Sequence, residues 1–254
     1  MRLFEFIKNK KGITVACLSL LAGVIAFGGA SGILAYQTDS ETANNVVTVG
    51  EVKIALTEPQ WDQPSVVKTN ILPHQEVVKD PTVTNTGIND AVIFMKVTTP
   101  YIADISVNDD RTKNPETAQE VFYFKTNGAA SVHANDFDTN WVALPDYTVV
   151  DNTKHTKTYV FGYNKTLQGS DKTDGNSQST TNNVTTPLFK KVQLRNFIEK
   201  SDAATTSPKL IKIDAYAIQA NNIYGSDGST INTTGTLNAA TLKTIYSIYV
   251  NQNS

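Results

Sequence analysis

The segment Ala91-Val-Ile-Phe-Met-Lys-Val-Thr98 predicts a β-strand, because apolar and β-branched residues form a short run between turn-forming neighbours. Eight further segments of about six residues have the same character, and Gly, Asn, Asp and Pro clusters separate them. They are Val52–Leu56, Val77–Val83, Ile102–Val107, Val121–Thr126, Trp141–Leu144, Tyr147–Val150, Thr158–Tyr163 and Lys209–Gln219. So many short strands without alternating helices predict a mainly β fold, a jelly-roll-like antiparallel β-sandwich.

Two segments depart from the strand pattern. Leu188–Lys200 and Leu237–Tyr249 place apolar residues near helical spacing, and Thr236 or Asn238 is a suitable N-cap for the second. We expect both to form short helices that cover the sandwich. Gln168–Thr186 and Asn221–Gly235 are rich in Gly, Ser, Thr and Asn, which predicts loops.

The composition supports this fold class. Thr, Asn and Ser account for 71 of the 254 residues, which favours strands, turns and solvated loops over a helical bundle. The chain carries 22 basic and 24 acidic residues, a net charge of -2. Nucleic-acid binding needs a strongly positive balance, so no nucleic-acid partner is expected.

The N-terminus resembles an export signal. Lys8, Lys10 and Lys11 precede the stretch 12–34, which contains no charged residue and ends in small residues. Ile33 and Ala35 occupy the -3 and -1 positions that a signal peptidase accepts, so we place the cut between Ala35 and Tyr36. The stretch is also long enough to cross a bilayer, and an uncleaved anchor is the alternative.

Removal of residues 1–35 changes the net charge and the cysteine content of the chain. The segment holds four basic residues, one acidic residue and the single cysteine, Cys17. The mature chain of 219 residues therefore carries 18 basic and 23 acidic side chains, net -5, and no cysteine. An exported domain without disulfides depends on its core alone. We expect a secreted protein, in the extracellular matrix or at the cell surface, with a β-sandwich domain over residues 46–254.

No recognisable catalytic motif or cofactor site occurs in the sequence, so no cofactor is predicted. The best metal candidate is the run His133-Ala-Asn-Asp-Phe-Asp138, in which His133, Asp136 and Asp138 offer one imidazole and two carboxylates. Asp and Asn are also ordinary turn residues, and we favour a solvated turn. His74 and His155 lie in separate turn-rich regions, the second among lysines, so no catalytic zinc is predicted.

Three stretches carry a resemblance to a known family. Ile33-Leu-Ala-Tyr-Gln-Thr-Asp39, continuing to Val46-Val-Thr-Val-Gly50, looks like signals processed by a SipW-type signal peptidase. Val78-Lys-Asp-Pro-Thr-Val-Thr-Asn-Thr-Gly87 with Asp90 resembles the KDP-x-V-x-NTG block of the TasA and camelysin family. Thr186-Pro-Leu-Phe189 and Ile213-Asp-Ala-Tyr-Ala-Ile-Gln-Ala220 are similar to later core segments of the same proteins.

The resemblance implies a jelly-roll subunit of a biofilm matrix fibre, exported with the help of a SipW-type peptidase. Self-association would then be the main partnership, with minor fibre components or matrix polysaccharide as further partners. Camelysin has given the family a metallopeptidase label, so a secreted camelysin-like metallopeptidase is the alternative function. The sequence has no recognised zinc-peptidase helix, which argues against that alternative.

The segment between the expected cut and the first strand is a candidate for assembly. A free N-terminal segment can add as a strand to an open edge of the next subunit, and such a head-to-tail contact propagates without closing. The disordered N-terminus that many domains have is the alternative. The residues of this donor segment are Tyr36, Gln37, Thr38, Asp39, Ser40, Glu41, Thr42, Ala43, Asn44 and Asn45.

The block around Asp80-Pro81 predicts a structural hairpin. Proline lacks a backbone donor, so its strand can enter a sheet only at an edge or at its first residue. Asn85-Thr-Gly87 supplies a turn in which glycine can adopt a positive φ. We expect this hairpin to shape one end of the sandwich and to bind no ion through Asp80 and Asp90.

The signal prediction has a direct test. Mass spectrometry of the exported protein is expected to find Tyr36 at the N-terminus, because the -1 and -3 residues of this cut are small or apolar. A protein that retains residues 1–35 would establish the anchor instead.

Overall fold

A computed structural model describes residues 51–66, 71–126, 134–169, 182–197 and 210–252. All of them belong to one compact unit, Val49–Ser254. The fold is mainly β, as predicted, and every strand pair in the described residues is antiparallel.

Eleven strands and one α-helix make up the described part of the chain. The strands are β1 (Ile54–Thr57), β2 (Glu76–Val78), β3 (Thr82–Asn85), β4 (Ala91–Asp104), β5 (Thr117–Glu120), β6 (Phe122–Lys125), β7 (Trp141–Ala143), β8 (Val149–Asp151), β9 (Thr156–Tyr163), β10 (Lys191–Leu194) and β11 (Lys212–Gln219). The helix is α1 (Ala239–Gln252), and a 3-10 turn spans Pro145–Tyr147.

The first layer is a sheet in the order β11-β4-β9-β7, with β8 also paired to β9 and β5 to the far end of β4. β4 is a single strand of 14 residues where the sequence predicts two, and it runs through Pro100. Pairing with β11 stops at Thr98–Lys212, and pairing with β5 starts at Tyr101–Glu120. Pro100 therefore lies in a gap between two partner strands, where its missing N–H costs no ladder bond.

The second layer combines β1-β3 with β2-β10-β6. The chain from Asn183 to β10 runs beside both β2 and β3 and joins them. Along it, the N–H of Asn85 donates to the Asn183 carbonyl at 2.8 Å, and the N–H of Lys79 donates to the Lys190 carbonyl at 3.0 Å. The chain passes from the first layer to the second at Val121, between β5 and β6.

Two hydrophobic clusters lie on opposite faces of β4. The odd-numbered residues from Ala91 to Val97 belong to the main core between the layers, together with Phe124, Phe161 and Phe189. Val92 and Phe94 belong to a second cluster, the helix core, beneath α1. β4 is thus buried on both faces, which explains its continuous apolar run.

The helix predicted at Leu237–Tyr249 is confirmed as α1, and Asn238 is its N-cap. The Asn238 side-chain oxygen accepts the N–H of Thr241 at 2.9 Å, and its carbonyl accepts the N–H of Leu242 at 3.0 Å. Leu242, Ile245 and Tyr246 are buried on the helix core. No helix in the described ranges is long and apolar enough to cross a membrane.

The helix predicted at Leu188–Lys200 is wrong over its described residues, 188–197. The chain there forms β10, which pairs with β2 on one side and β6 on the other. Leu188, Phe189 and Val192 are fully or almost fully buried in the main core. The apolar spacing that suggested a helix therefore reflects contacts made by an irregular segment and a short strand.

The predicted hairpin at Asp80-Pro81 is also wrong in form. These residues separate β2 from β3 within one layer, and the turn after Asn85 leads to β4 in the other layer. The Asp80 carboxylate accepts the N–H groups of Gln60 at 2.9 Å and Trp61 at 3.2 Å, and so fixes the turn after β1.

Gly87 is required by close backbone contact. A Cβ at Gly87 would lie 2.5 Å from both the Glu51 carbonyl oxygen and the Lys53 nitrogen, and neither backbone atom can move aside cheaply. At Gly228 a Cβ would meet no atom within 4 Å, but the φ of 77° is one that residues with a side chain rarely adopt. A side chain is therefore excluded at Gly87 by lack of space and disfavoured at Gly228 by backbone strain.

Alanine at these glycines is expected to give different losses of stability. Gly87→Ala should lower the free energy of unfolding by about 3 kcal/mol or more, because overpacking against backbone displaces β1. Gly228→Ala should lower it by about 1 kcal/mol, the cost of a left-handed residue with a side chain. Urea denaturation of both variants measures the difference, and equal losses would contradict the packing argument.

Candidate functional site

The predicted cleavage and donor residues lie outside the described residues. This applies to Ala35, to the whole donor segment Tyr36–Asn45, and to His133 of the candidate metal run. Their roles therefore stay predictions. The described part of the chain does contain the other two candidate ligands, Asp136 and Asp138, and the sheet edges to which a donor strand could add.

Asp136 and Asp138 belong to a loop that covers the outer edge of β6. The N–H of Asp136 donates to the Phe124 carbonyl at 2.8 Å, while the Asn135 side chain accepts the Phe124 N–H at 3.0 Å. An Asp138 carboxylate oxygen accepts the Thr186 hydroxyl at 2.8 Å and the N–H of Asn140 at 2.9 Å. Asn135 and the Asp136 backbone thus close the outer edge of β6, and residues 134–138 are half-buried where the sequence favoured a solvated turn.

The other histidines are connector residues. His74 and His155 both have positive φ, 63° and 52°, and their backbones bond to neighbouring strands. The N–H of His74 donates to the Leu194 carbonyl at 2.9 Å, and the carbonyl of His155 accepts the Tyr101 N–H at 2.8 Å. Within the described ranges, no three His, Cys, Asp or Glu side chains lie close enough to hold a metal ion.

β11 presents an open edge in the part of the chain that the structure describes. It is the terminal strand of the first layer and pairs with β4 alone among the described residues. The N–H of Ala220 donates to the Asp90 carbonyl, across to the β4 side, at 2.8 Å. Because backbone direction alternates along an antiparallel strand, the N–H groups of Ile213, Ala215 and Ala217 point away from β4. This edge can therefore accept a further strand.

A second edge strand, β1, lies beside the open edge of β11. β1, which pairs only with β3 in the described chain, lies next to β11 in the other layer. Ile54 of β1 and Ile213, Ala215 and Ala217 of β11 pack against the main core but are only partly buried. We call the partly buried apolar surface bounded by β1 and β11 the edge groove. Its apolar side chains lack full cover from the described residues.

A second cluster of charged groups lies where the chain changes layers. The Glu120 carboxylate accepts hydrogen bonds from Lys157 at 2.8 Å, from Arg195 at 3.3 Å and from the Tyr159 hydroxyl. The Arg195 guanidinium also stacks on Tyr123, 3.8 Å from the ring centroid. Glu120 ends β5, Lys157 and Tyr159 belong to β9, and Arg195 follows β10. The cluster therefore ties the two layers together.

The electrostatics of this cluster keep its charges fixed near neutral pH. Burial opposes ionisation of Glu120, but hydrogen bonds from Lys157 and Tyr159 outweigh it and lower the Glu120 pKa. Burial and the bond to Glu120 raise the pKa of Tyr159 to about 12. Burial favours loss of the Lys157 proton, yet the bonds to Glu120 and Tyr159 raise its pKa overall. None of the three is thereby tuned to exchange a proton near pH 7.

No family model, curated protein or solved structure matches this chain. Neither the edge groove nor the Glu120 cluster is predicted by the sequence. Glu120, Lys157 and Arg195 are far apart in the sequence and have no motif spacing. The one sequence feature near the groove is the segment Ile213–Ala220, whose residues Ala215 and Ala217 pack against the main core.

Removal of the Glu120 charge is expected to give pH-dependent destabilisation. Glu120→Gln should lower the free energy of unfolding at pH 7 by about 3 kcal/mol, because Lys157 and Arg195 lose their shared anion. The folded-state pKa of Glu120 lies below the unfolded value. Its stabilisation is therefore complete above the unfolded pKa and is lost as the pH falls through the folded pKa.

The difference in free energy of unfolding between parent and Glu120→Gln should therefore become smaller as the pH falls. Denaturation curves recorded between pH 2 and pH 7 measure this difference. Glu51→Gln, at an exposed side chain, is the matched control and should change little at any pH. A difference in free energy of unfolding that stays constant down to the lowest pH would contradict the assigned role of the carboxylate.

Proposed function

We propose that the chain is a structural subunit of an extracellular biofilm matrix fibre. In this proposal it is a jelly-roll member of the TasA and camelysin family, secreted after cleavage by a SipW-type signal peptidase. Subunits polymerise head to tail, with residues Tyr36–Asn45 of one subunit added as a strand to the next. The observation that carries the proposal is the open edge of β11 beside a partly covered main core.

The chemistry of the edge suits an added strand. Outward N–H groups of Ile213, Ala215 and Ala217 supply the main-chain donors that strand addition uses. The alanines leave space beneath the incoming backbone, so the donor can place side chains against the main core. Such a contact joins two different surfaces of identical subunits, and it extends into a filament because it does not close on itself.

Exposed strand edges that accept any other strand cause aggregation. In this fold the edge of β6 is covered, whereas the edge of β11 is not covered by the described residues. The loop 134–138 covers the outer edge of β6 through Asn135 and Asp136. β11 lacks such a cover in the part of the chain that the structure describes. Lys212 and Asp214, which pair at 2.9 Å, place charges at one end of this edge and would restrict the register of an incoming strand.

A proline at the open edge tests the proposal. Ala215→Pro removes one outward N–H but no bond to β4, so the subunit should fold and fail to polymerise. Ala215→Ser keeps the N–H at the same position and should polymerise like the parent. Electron microscopy and size-exclusion chromatography of the mature proteins measure fibre formation, and circular dichroism checks the fold.

Deletion of Tyr36–Asn45 is the complementary change. It removes the donor and leaves the acceptor, so the truncated subunit should stay monomeric. Undiminished fibres from either the deletion or Ala215→Pro would contradict strand addition at β11. The deletion protein should still accept a synthetic peptide of sequence 36–45, with its binding lost in Ala215→Pro.

A further inference from the structure

A cleft of about 710 Å³, lined by both polar and apolar groups, opens at one end of the first layer. Its floor contains Tyr163, Leu167 and Ala220, at or beside the ends of β9, β4 and β11. The walls come from the loops at 165–168, 182–186 and 233–236. The volume falls within the range of roughly 300–1,000 Å³ that small-molecule sites occupy. The cleft is distinct from both the edge groove and the Glu120 cluster.

Internal hydrogen bonds hold the cleft in shape. The Thr166 hydroxyl donates to the Thr233 carbonyl at 2.7 Å and joins two walls. The Thr233 hydroxyl donates to the Ala220 carbonyl at 2.9 Å and fixes one wall to the floor. One Asp90 carboxylate oxygen accepts the N–H of Gly169 at 2.8 Å. The cleft is therefore a preformed feature, which lowers the entropic cost of binding.

Other polar groups in the lining have no partner within the described chain. These are the side-chain amides of Gln168, Asn182 and Asn221 and the second carboxylate oxygen of Asp90. Amide groups both donate and accept hydrogen bonds. The lining holds one acidic and one basic side chain, Asp90 and Lys165, so it has no net preference for an ionic ligand.

We propose that this cleft binds a neutral saccharide. Sugar hydroxyls donate and accept at the same atom, which matches amide side chains better than it matches a purely acidic or basic site. The C–H faces of a sugar ring can pack on Val184, an exposed apolar side chain of the lining. The inference does not depend on fibre assembly, and it would give a fibre subunit a direct contact with matrix polysaccharide.

Titration of the mature protein with neutral tetrasaccharides of glucose and of N-acetylglucosamine tests the inference. The protein carries Ala215→Pro, so that fibres do not interfere, and saturation-transfer and chemical-shift NMR report binding. We expect shifts at the cleft residues for at least one probe. The double change Asn182→Ala and Asn221→Ala should weaken its binding about tenfold, the loss of two hydrogen bonds.

Gln252→Ala, on the exposed end of α1, is the matched control and should bind like the parent. Replacement of residues 171–180 by Gly-Ser-Gly should also leave binding intact, because Gln168 and Asn182 are already joined through a backbone bond of 3.0 Å. Three results would overturn the inference: no binding of either neutral probe, equal binding by the double variant, or tighter binding of an acidic or basic oligosaccharide than of the neutral ones.

Discussion

Burial of both faces of β4 is the constraint on which the rest of the structure depends. Its odd-numbered residues from Ala91 to Val97 need the second layer, and its even-numbered residues Val92 and Phe94 need α1. Full burial of a phenylalanine or isoleucine side chain contributes about 2 kcal/mol, so neither face can be left bare. β11 and β9 must then pair along β4, and the position of β11 at the end of this sheet creates the edge groove.

The sequence predicts the fold class because the central strand and the helix can each be recognised from a short stretch of neighbouring residues. Ala91–Thr98 is strongly apolar, and Asn238 caps a helix whose buried residues recur at helical spacing. The helix predicted at Leu188–Lys200 is wrong because a few apolar residues in a short segment fit both the helical and the strand periodicity. β5 has the sequence Thr-Ala-Gln-Glu, with no apolar alternation, and it pairs along the end of β4 beyond the last residue paired with β11.

The candidate site is harder to predict, since an open edge is a property of strand order across the whole chain. Nothing near Ala215 distinguishes an outer strand from an inner one. The loop 134–138 suggested a metal site by its residue types, yet there Asn135 and Asp136 bond to β6 and Asp138 bonds to Thr186. The Glu120 cluster likewise forms only when β5, β9 and the end of β10 meet.

Hydrogen exchange of the β11 amides in monomer and polymer tests the central claim most directly. The amides that face β4, such as that of Tyr216, should be protected in both states. If a strand from the next subunit adds to this edge, the outward amides of Ile213, Ala215 and Ala217 should exchange quickly in the monomer and become protected in the fibre. Equal exchange of these three amides in the two states would contradict assembly at β11.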